Sequence, residues 1–369
     1  MNVDVDARTE EFNVGYLKGR RVNGEQLRDV RQTLRFSQAE LTSALNARTG
    51  RKYDKPKISW WENGREAVPA EIEAELLRML NGRPKDATAV VLANQKGGVG
   101  KTTSALNLAC ALDRLGRRVL LIDFDPQATA TTGLLASGAG EAHRRGRTMV
   151  RVILGSTPLS EIIIEKGEDL SDGRLMPFDL AASHIDLSET DGKREPGFDL
   201  ALKEALQPVR GRYEWIIIDA PPNLGMLTWM ALAASEQVII PVRTEPYDTM
   251  GVGLILGTIN KVQRRLNPAL RLAGILPTQF DKRKSVDREV LSHLAISLGT
   301  AAPLLTPVPA SAVLGHAARD GRVAVETSPA SPASAVYSAL ARALADRAPL
   351  PRVEYLAPNH NTAKVVDAE

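Results

Sequence analysis

The apolar positions of this chain follow two different periods, and the change falls near residue 87. Over residues 24–80 short apolar segments recur at helical spacing with no alternating run, which predicts a small all-α unit. "NGRPKDA", residues 81–87, interrupts the pattern with Gly and Pro and reads as a linker. From Thr88 onward, β-branched runs alternate with longer helical stretches: "TAVVLAN", "RVLLIDFD", "WIIIDA", "QVIIPV", "LAGILPT" and "LLTPVP". Unbroken apolar runs of this kind suit strands buried on both faces, so the second part should be α/β, a mostly parallel sheet flanked by helices. Ligands of such sheets sit at the carboxyl ends of the strands. The expected organisation is an arm (1–18), a helical domain (19–80), a linker (81–87), an α/β domain (88–348) and a polar tail (349–369). Within the α/β domain, "SGAGEAHRRGRTM", residues 137–149, reads as a loop.

Composition narrows the class. The 369 residues are 43% apolar and 25% charged, the balance of a soluble globular protein. The single cysteine, Cys110, lies in the apolar helical run "LNLACAL" and excludes an internal disulfide or a multi-cysteine metal site. No stretch has the length of a membrane span and the acidic start has no apolar core, so the expected location is cytoplasmic. A net charge of +3 is small for this length, so any DNA-binding surface must be local. It is concentrated between Lys18 and Arg65, where twelve Lys or Arg face five Asp or Glu.

Candidate chemistry gathers at strand ends. "NQKGGVGKTT", residues 94–103, lies between a strand and a helix, although Gln95 occupies the first glycine position of the strict phosphate-loop pattern. Gly97, Gly98, Val99 and Gly100 leave room for backbone N–H groups to close around phosphate oxygens, backed by the positive end of the following helix. Lys101 would reach the β- and γ-phosphates, the Thr102 hydroxyl would hold Mg²⁺, and Thr103 would bond a phosphate further in. Asp123 and Asp125 in "LLIDFDPQAT" alternate along a strand end and can share one cleft, with Asp125 suited to orienting an attacking water. Asp219 ends "WIIID" and can hold Mg²⁺ through a water; Thr102, Asp219 and Asp123 are the expected metal set.

"KGGVGKTT", "DFDPQATATTGLL", "IIIDAPPNLGMLTWMALAAS", "VIIPVRTEPYDTMGV" and "GILPTQFDKRKSVDREV" together resemble the ParA ATPases of plasmid and chromosome partition, over residues 88–346. The resemblance implies a P-loop NTPase fold, ATP and Mg²⁺ as ligands, a homodimer formed on ATP binding, and a ParB-type centromere-binding partner that stimulates hydrolysis. It also implies that Lys96 reaches across the dimer to the partner's phosphates. Related classes fit less well. Nitrogenase-type iron proteins need paired cysteines, MinD-like proteins end in an amphipathic membrane helix, and bacterial tyrosine kinases carry a tyrosine-rich tail where this chain has Tyr355 alone.

The helical domain resembles the helix-turn-helix of Xre/Cro-type repressors. Ser37 and Glu40 form a capping-box pattern, and Asp54 with Pro56 would start a recognition helix, "KPKISWWENG". Ile58 and Trp61 fit its buried face. Arg31 and Glu62 match a structural ion pair of such folds. Lys55, Lys57, Ser59 and Trp60 are then candidates for the DNA groove, with Gln38 and Asn63 nearer the backbone. The long connection "NARTGRKYD" adds Arg48, Arg51 and Lys52, which reach phosphates or form a solvated loop.

One departure concerns nonspecific DNA binding by the ATPase domain. Ala310 and Val313 in "VPASAVLGHA" stand where the family carries arginines, and either Lys282, Arg283, Lys284 and Arg288 or the helical domain would have to compensate. The expected function is a nucleoid-associated ATPase that segregates DNA and represses its own operon through the helix-turn-helix. The alternative is a transcriptional repressor that uses ATP only as an allosteric ligand.

Overall fold

Asn23 and Gln26 close a reciprocal capping box at the start of helix α1 (Gly24–Thr33), and Ser37 and Glu40 do the same for α2 (Gln38–Thr49). Helix α2 stops at Gly50, which takes the left-handed conformation at φ +68° that favours glycine. Asp54 accepts the Lys57 N–H to begin α3 (Lys55–Glu62), with Pro56 in its first turn, and α4 (Ala70–Asn81) follows. Leu27, Val30, Leu41, Leu45, Ile58, Trp61, Ile72 and Leu76 are all fully buried between these helices. Each contributes roughly 1.5–3 kcal/mol by leaving water. Any side chain at Gly24 would collide with the Trp61 and Glu62 carbonyl groups, so α1 can meet α3 this closely only at a glycine.

The computed structural model describes residues 22–34, 36–81, 87–155, 157–169, 173–193, 195–246, 250–298 and 302–353; the expected arm, most of the linker and the end of the tail lie outside them. Contacts divide the chain into two units, Met1–Lys85 and Asp86–Glu369. Among the described residues no helix is long and apolar enough to cross a membrane.

The second unit is built on six strands: β1 (Thr88–Leu92), β2 (Val119–Asp123), β3 (Asp179–Ala181), β4 (Trp215–Asp219), β5 (Gln237–Arg243) and β6 (Arg271–Thr278). They lie in the order β3-β2-β4-β1-β5-β6, and every pairing is parallel. Helices α5 (Lys101–Arg114), α6 (Thr129–Leu135), α7 (Gly138–Arg144), α8 (Met149–Ile153), α9 (Leu159–Ile162), α10 (Ala201–Leu206), α11 (Met226–Ala233), α12 (Met250–Arg265), α13 (Ser285–Leu298), α14 (Ala312–Arg319), α15 (Ala324–Thr327) and α16 (Pro332–Ala345) fill the connections and the end of the unit. Alternate residues of β1 enter opposite cores: Ala89 and Val91 join the one that includes α11 and α12, Val90 and Leu92 the one that includes α5 and α16. Both faces are therefore covered, as the unbroken apolar runs require.

Three local expectations change. The short strand β3 has no counterpart among the strands expected from the sequence. Residues 304–309 make only isolated bridges, Leu304 to Ile275 and Pro309 to Phe280 in parallel and Leu305 to Arg352 antiparallel, because Pro303, Pro307 and Pro309 cannot donate to a ladder. Residues 138–144, read as loop, form α7, where Glu141 pairs with Arg144 and Arg145 one turn on and offsets the two glycines.

Candidate functional site

The loop after β1 is fixed by a buried side chain. Asn94 donates from Nδ2 to the Pro241 carbonyl of β5 at 2.7 Å, and its Oδ1 accepts the Lys96 N–H at 3.1 Å. Gly98 and Gly100 turn the chain at φ +72° and +86°, conformations that cost any L side chain, and α5 starts immediately afterwards with no side-chain cap. The first N–H groups of α5 and its positive dipole end are thus available to an anion.

Lys101, the first residue of α5, is buried and donates from Nζ to the Lys96 carbonyl at 2.9 Å. Burial holds its ammonium below the usual lysine range, while the charges of Asp219 and Asp125 pull the other way. Asp219 ends β4, with Leu92 of β1 opposite on one side and Asp123 of β2 on the other. It is fully buried, and neither oxygen has a hydrogen-bond partner of normal geometry. Burial, and then the Asp123 carboxylate beside it, push its pKa well above the usual carboxylate range; the Thr102 hydroxyl acts in the opposite direction.

Asp123 is equally buried but satisfied. Its Oδ2 accepts from the Thr131 N–H at 2.8 Å and the Thr131 hydroxyl at 2.7 Å, and Oδ1 from the Asp125 N–H at 3.3 Å. Burial still pushes its pKa to about 6 against those bonds. Asp125 accepts the Gln127 N–H at 2.9 Å, and its carbonyl accepts from the Ser183 hydroxyl at 2.7 Å. Burial raises its pKa, and the Gln127 bond and the Lys101 charge lower it.

The fold therefore brings Lys96, Lys101, Thr102, Asp123, Asp125 and Asp219 to one end of the sheet. Their roles separate by partner. The partnerless oxygens of Asp219 and the adjacent Thr102 hydroxyl form the hard-oxygen donor set that a cation such as Mg²⁺ takes. Asp123 spends its oxygens on the turn that carries Asp125 and Thr131.

A cavity of about 440 Å³ opens beside Gly100 and Thr103. Its far wall is Thr278 and Gln279 from the end of β6 with Val308, Pro309 and Leu314. The Thr278 hydroxyl donates to the Val99 carbonyl at 2.8 Å and Gln279 Nε2 to the Gly98 carbonyl at 3.2 Å, so this wall also braces the glycine loop. Sequence reading did not single these residues out, since chain segments about two hundred residues apart form the wall. The polar "TQ" after an apolar strand was the available signal. Ala310 also lines this cavity and is exposed, and Val313 is half-buried on α14.

In the helical unit the expected nucleic-acid residues fall into two groups. Gln38 Nε2 donates to Glu62 Oε2 at 2.9 Å, and Arg31 binds both Glu62 oxygens and the Phe36 carbonyl. Burial raises the Glu62 pKa, yet the Arg31 and Gln38 bonds outweigh it and hold the group ionised. Asn63 accepts from Arg28 at 3.0 Å and donates to the Ser59 carbonyl at 2.8 Å. Gln38 and Asn63 thus spend polar atoms on holding α1, α2 and α3 together. Lys57 pairs with Glu66 at 2.7 Å and Arg51 with Glu71 at 3.3 Å. Lys52 and Lys55 are exposed, Ser59 is half-buried, and Trp60 is 46% exposed beside the fully buried Trp61.

Comparison with known proteins adds three kinds of likeness. The AAA domain family (AAA_31) matches residues 87–272. The chromosome-partitioning ATPase Soj of Thermus thermophilus is 39% identical over 254 residues, 68% of this chain and 93% of that one. A cobyrinic acid a,c-diamide synthase from Mycobacterium smegmatis, solved with a bound ATP analogue and magnesium, superposes with a TM-score of 0.58 at 32% identity, covering 72% of this chain and 99% of that one. A plasmid partition protein from Borrelia burgdorferi bound to AMPPNP gives a TM-score of 0.53 at 25% identity, covering 64% and 90%.

Proposed function

The chain belongs to the ParA-type family of P-loop ATPases, and from that premise we propose that it binds ATP with Mg²⁺, hydrolyses it, and drives the partition of DNA. The observation that carries this reading is Asp219, a fully buried carboxylate with both oxygens unsatisfied beside Thr102 and the Lys101 ammonium. Such a group is costly to bury alone and is relieved by a cation. Thr102 and Asp219 would hold Mg²⁺, which when bound neutralises phosphate charge. The N–H groups of residues 97–103 would bind the phosphate oxygens, and Lys101 would leave the Lys96 carbonyl for the β- and γ-phosphates. The cavity against Thr278, Gln279 and Pro309 has the size and position for the nucleoside. Asp125, buried and held by Gln127 and Ser183, would orient the attacking water.

In the same reading Lys96 acts across an ATP-dependent homodimer, neutralising charge on the partner's transferring phosphoryl group. The helical unit, residues 19–80, is an Xre/Cro-like reader that binds an operator through Lys55, Lys57, Ser59 and Trp60, with Lys52 and Arg51 at phosphates. A ParB-type protein would stimulate hydrolysis, and the working location is the cytoplasm, on the nucleoid. The test is Mg²⁺-dependent phosphate release with and without DNA and the ParB-type protein. Turnover that rises several-fold when both are present supports partition. ATP binding without stimulated turnover, together with ATP-dependent operator affinity, moves the reading to a ligand-gated repressor.

A further inference from the structure

A second ion-binding arrangement lies away from the nucleotide site. His143 on α7 stacks on His184, which follows β3, with ring centroids 3.4 Å apart and planes 11° from parallel. Asp186 faces both rings: its Oδ2 is 3.5 Å from His143 Nε2 and 3.2 Å from His184 Nδ1. One donor atom from each of the three residues lies within 4.8 Å of the others, and all three side chains are half-buried, within reach of solvent.

These separations are informative because a four-coordinate Zn²⁺ holds nitrogen and oxygen donors at about 2.0–2.2 Å, which sets neighbouring donors about 3.3–3.6 Å apart. The Asp186 distances, 3.2 and 3.5 Å, lie close to that edge length. Polar contacts within the chain account poorly for the histidine positions. His143 Nδ1 is buried with no hydrogen-bond partner, and His184 Nδ1 accepts only a long bond, 3.3 Å, from the Asp186 N–H. The flanking Arg144 and Arg145 share the Glu141 carboxylate, which offsets one of their two positive charges beside the cluster.

We propose that His143, His184 and Asp186 form a binding site for a divalent transition metal of the Zn²⁺ class, joining α7 to the segment after β3. Two imidazoles and one carboxylate favour Zn²⁺, Ni²⁺ or Cu²⁺ over Mg²⁺, which prefers oxygen donors and its own waters. The site is therefore chemically distinct from Thr102 and Asp219. Ligation requires the two rings to tilt out of their parallel stack so that their in-plane lone pairs converge, and it leaves a fourth position for water.

The test uses the full chain, freed of trace metal with a chelator and kept in excess Mg²⁺, titrated with Zn²⁺ by calorimetry. One Zn²⁺ per chain is expected, with affinity reduced at least ~10-fold in His143→Ala and in Asp186→Asn. Circular dichroism and Zn²⁺-free ATP turnover should be unchanged in His143→Ala, since that residue has no part in the nucleotide site. Co²⁺ in place of Zn²⁺ should give the visible absorption of a four-coordinate ion in the parent chain and not in His143→Ala. Absence of stoichiometric binding at submillimolar Zn²⁺ overturns the proposal. So does equal affinity in parent and His143→Ala, which would place the ion on other side chains.

Discussion

Replacing Asp219 by Asn should make the nucleotide-free protein more stable while removing its response to Mg²⁺-ATP. Asp123 has three hydrogen bonds to relieve its burial and is still pushed to about 6 from 3.8. At 1.36 kcal/mol per unit, that is about 3 kcal/mol against the ionised form. Asp219 lacks those bonds and sits beside Asp123, so burial weighs against its ionised form at least as heavily. Asn removes the charge but leaves buried amide donors to satisfy, a loss of about 1–3 kcal/mol. Set against the ~3 kcal/mol scale of the lost charge, that leaves a net gain of ~0–2 kcal/mol, a rise of up to a few degrees in the Tm of the ATPase unit at 2–4 °C per kcal/mol. The pH dependence has a definite sign. A carboxyl whose pKa is raised on folding keeps its proton longer in the native state, so stability falls as pH climbs through the interval from about 4 to 6 and beyond. Asp219→Asn should flatten part of that slope. With Mg²⁺-ATP at about 100 times its Kd the parent gains about 2.7 kcal/mol, and the variant should gain far less. Differential scanning fluorimetry at pH 5 and pH 7, with and without Mg²⁺-ATP, reads all four states. A lower Tm for the nucleotide-free variant, or an undiminished Mg²⁺-ATP shift, would refute the reasoning.

Lys96→Ala should bind ATP near the parental affinity and fail to form ATP-dependent dimers, and light scattering that shows normal dimers removes the cross-subunit role. Asp125→Ala should form those dimers and release phosphate at least ~100-fold more slowly, the scale of a lost general-base or water-orienting group; normal release takes Asp125 out of the mechanism. Trp60→Ala should weaken operator binding, as measured by fluorescence anisotropy, by ~1–3 kcal/mol with ATP turnover unchanged. Trp61→Ala, one residue on but fully buried, should instead cost the helical unit ~3–5 kcal/mol and melt it near ambient temperature.

Most of the framework was legible because the evidence for it is local. β1, β2, β4, β5 and β6 announce themselves as unbroken apolar runs, and the caps at Ser37 and Asp54 by residue type alone. β3 escaped because three residues, Asp179–Ala181, are too few to establish a period. α7 escaped because its glycines outvote its ion pairs when helix propensity is read alone. At the site, the presence of Lys101, Asp123, Asp125 and Asp219 could be read, but the division of labour between Asp123 and Asp219 could not. That division depends on Thr131 lying beside one carboxylate and not the other. The same holds for Gln38, whose attachment to Glu62 depends on how α2 meets α3.

The strand order also sets a schedule for synthesis. β4 lies between β1 and β2 in the sheet although it leaves the ribosome after both, so Leu92, Asp123 and Asp219 cannot align until residue 219 has emerged. The helical unit, with its own core, is complete 138 residues earlier, at Asn81. At roughly 5–20 residues per second the interval is about 7–30 s. A nascent chain can therefore present a complete helical unit well before it has a nucleotide pocket, and chains truncated before β4 would keep the one without ever gaining the other.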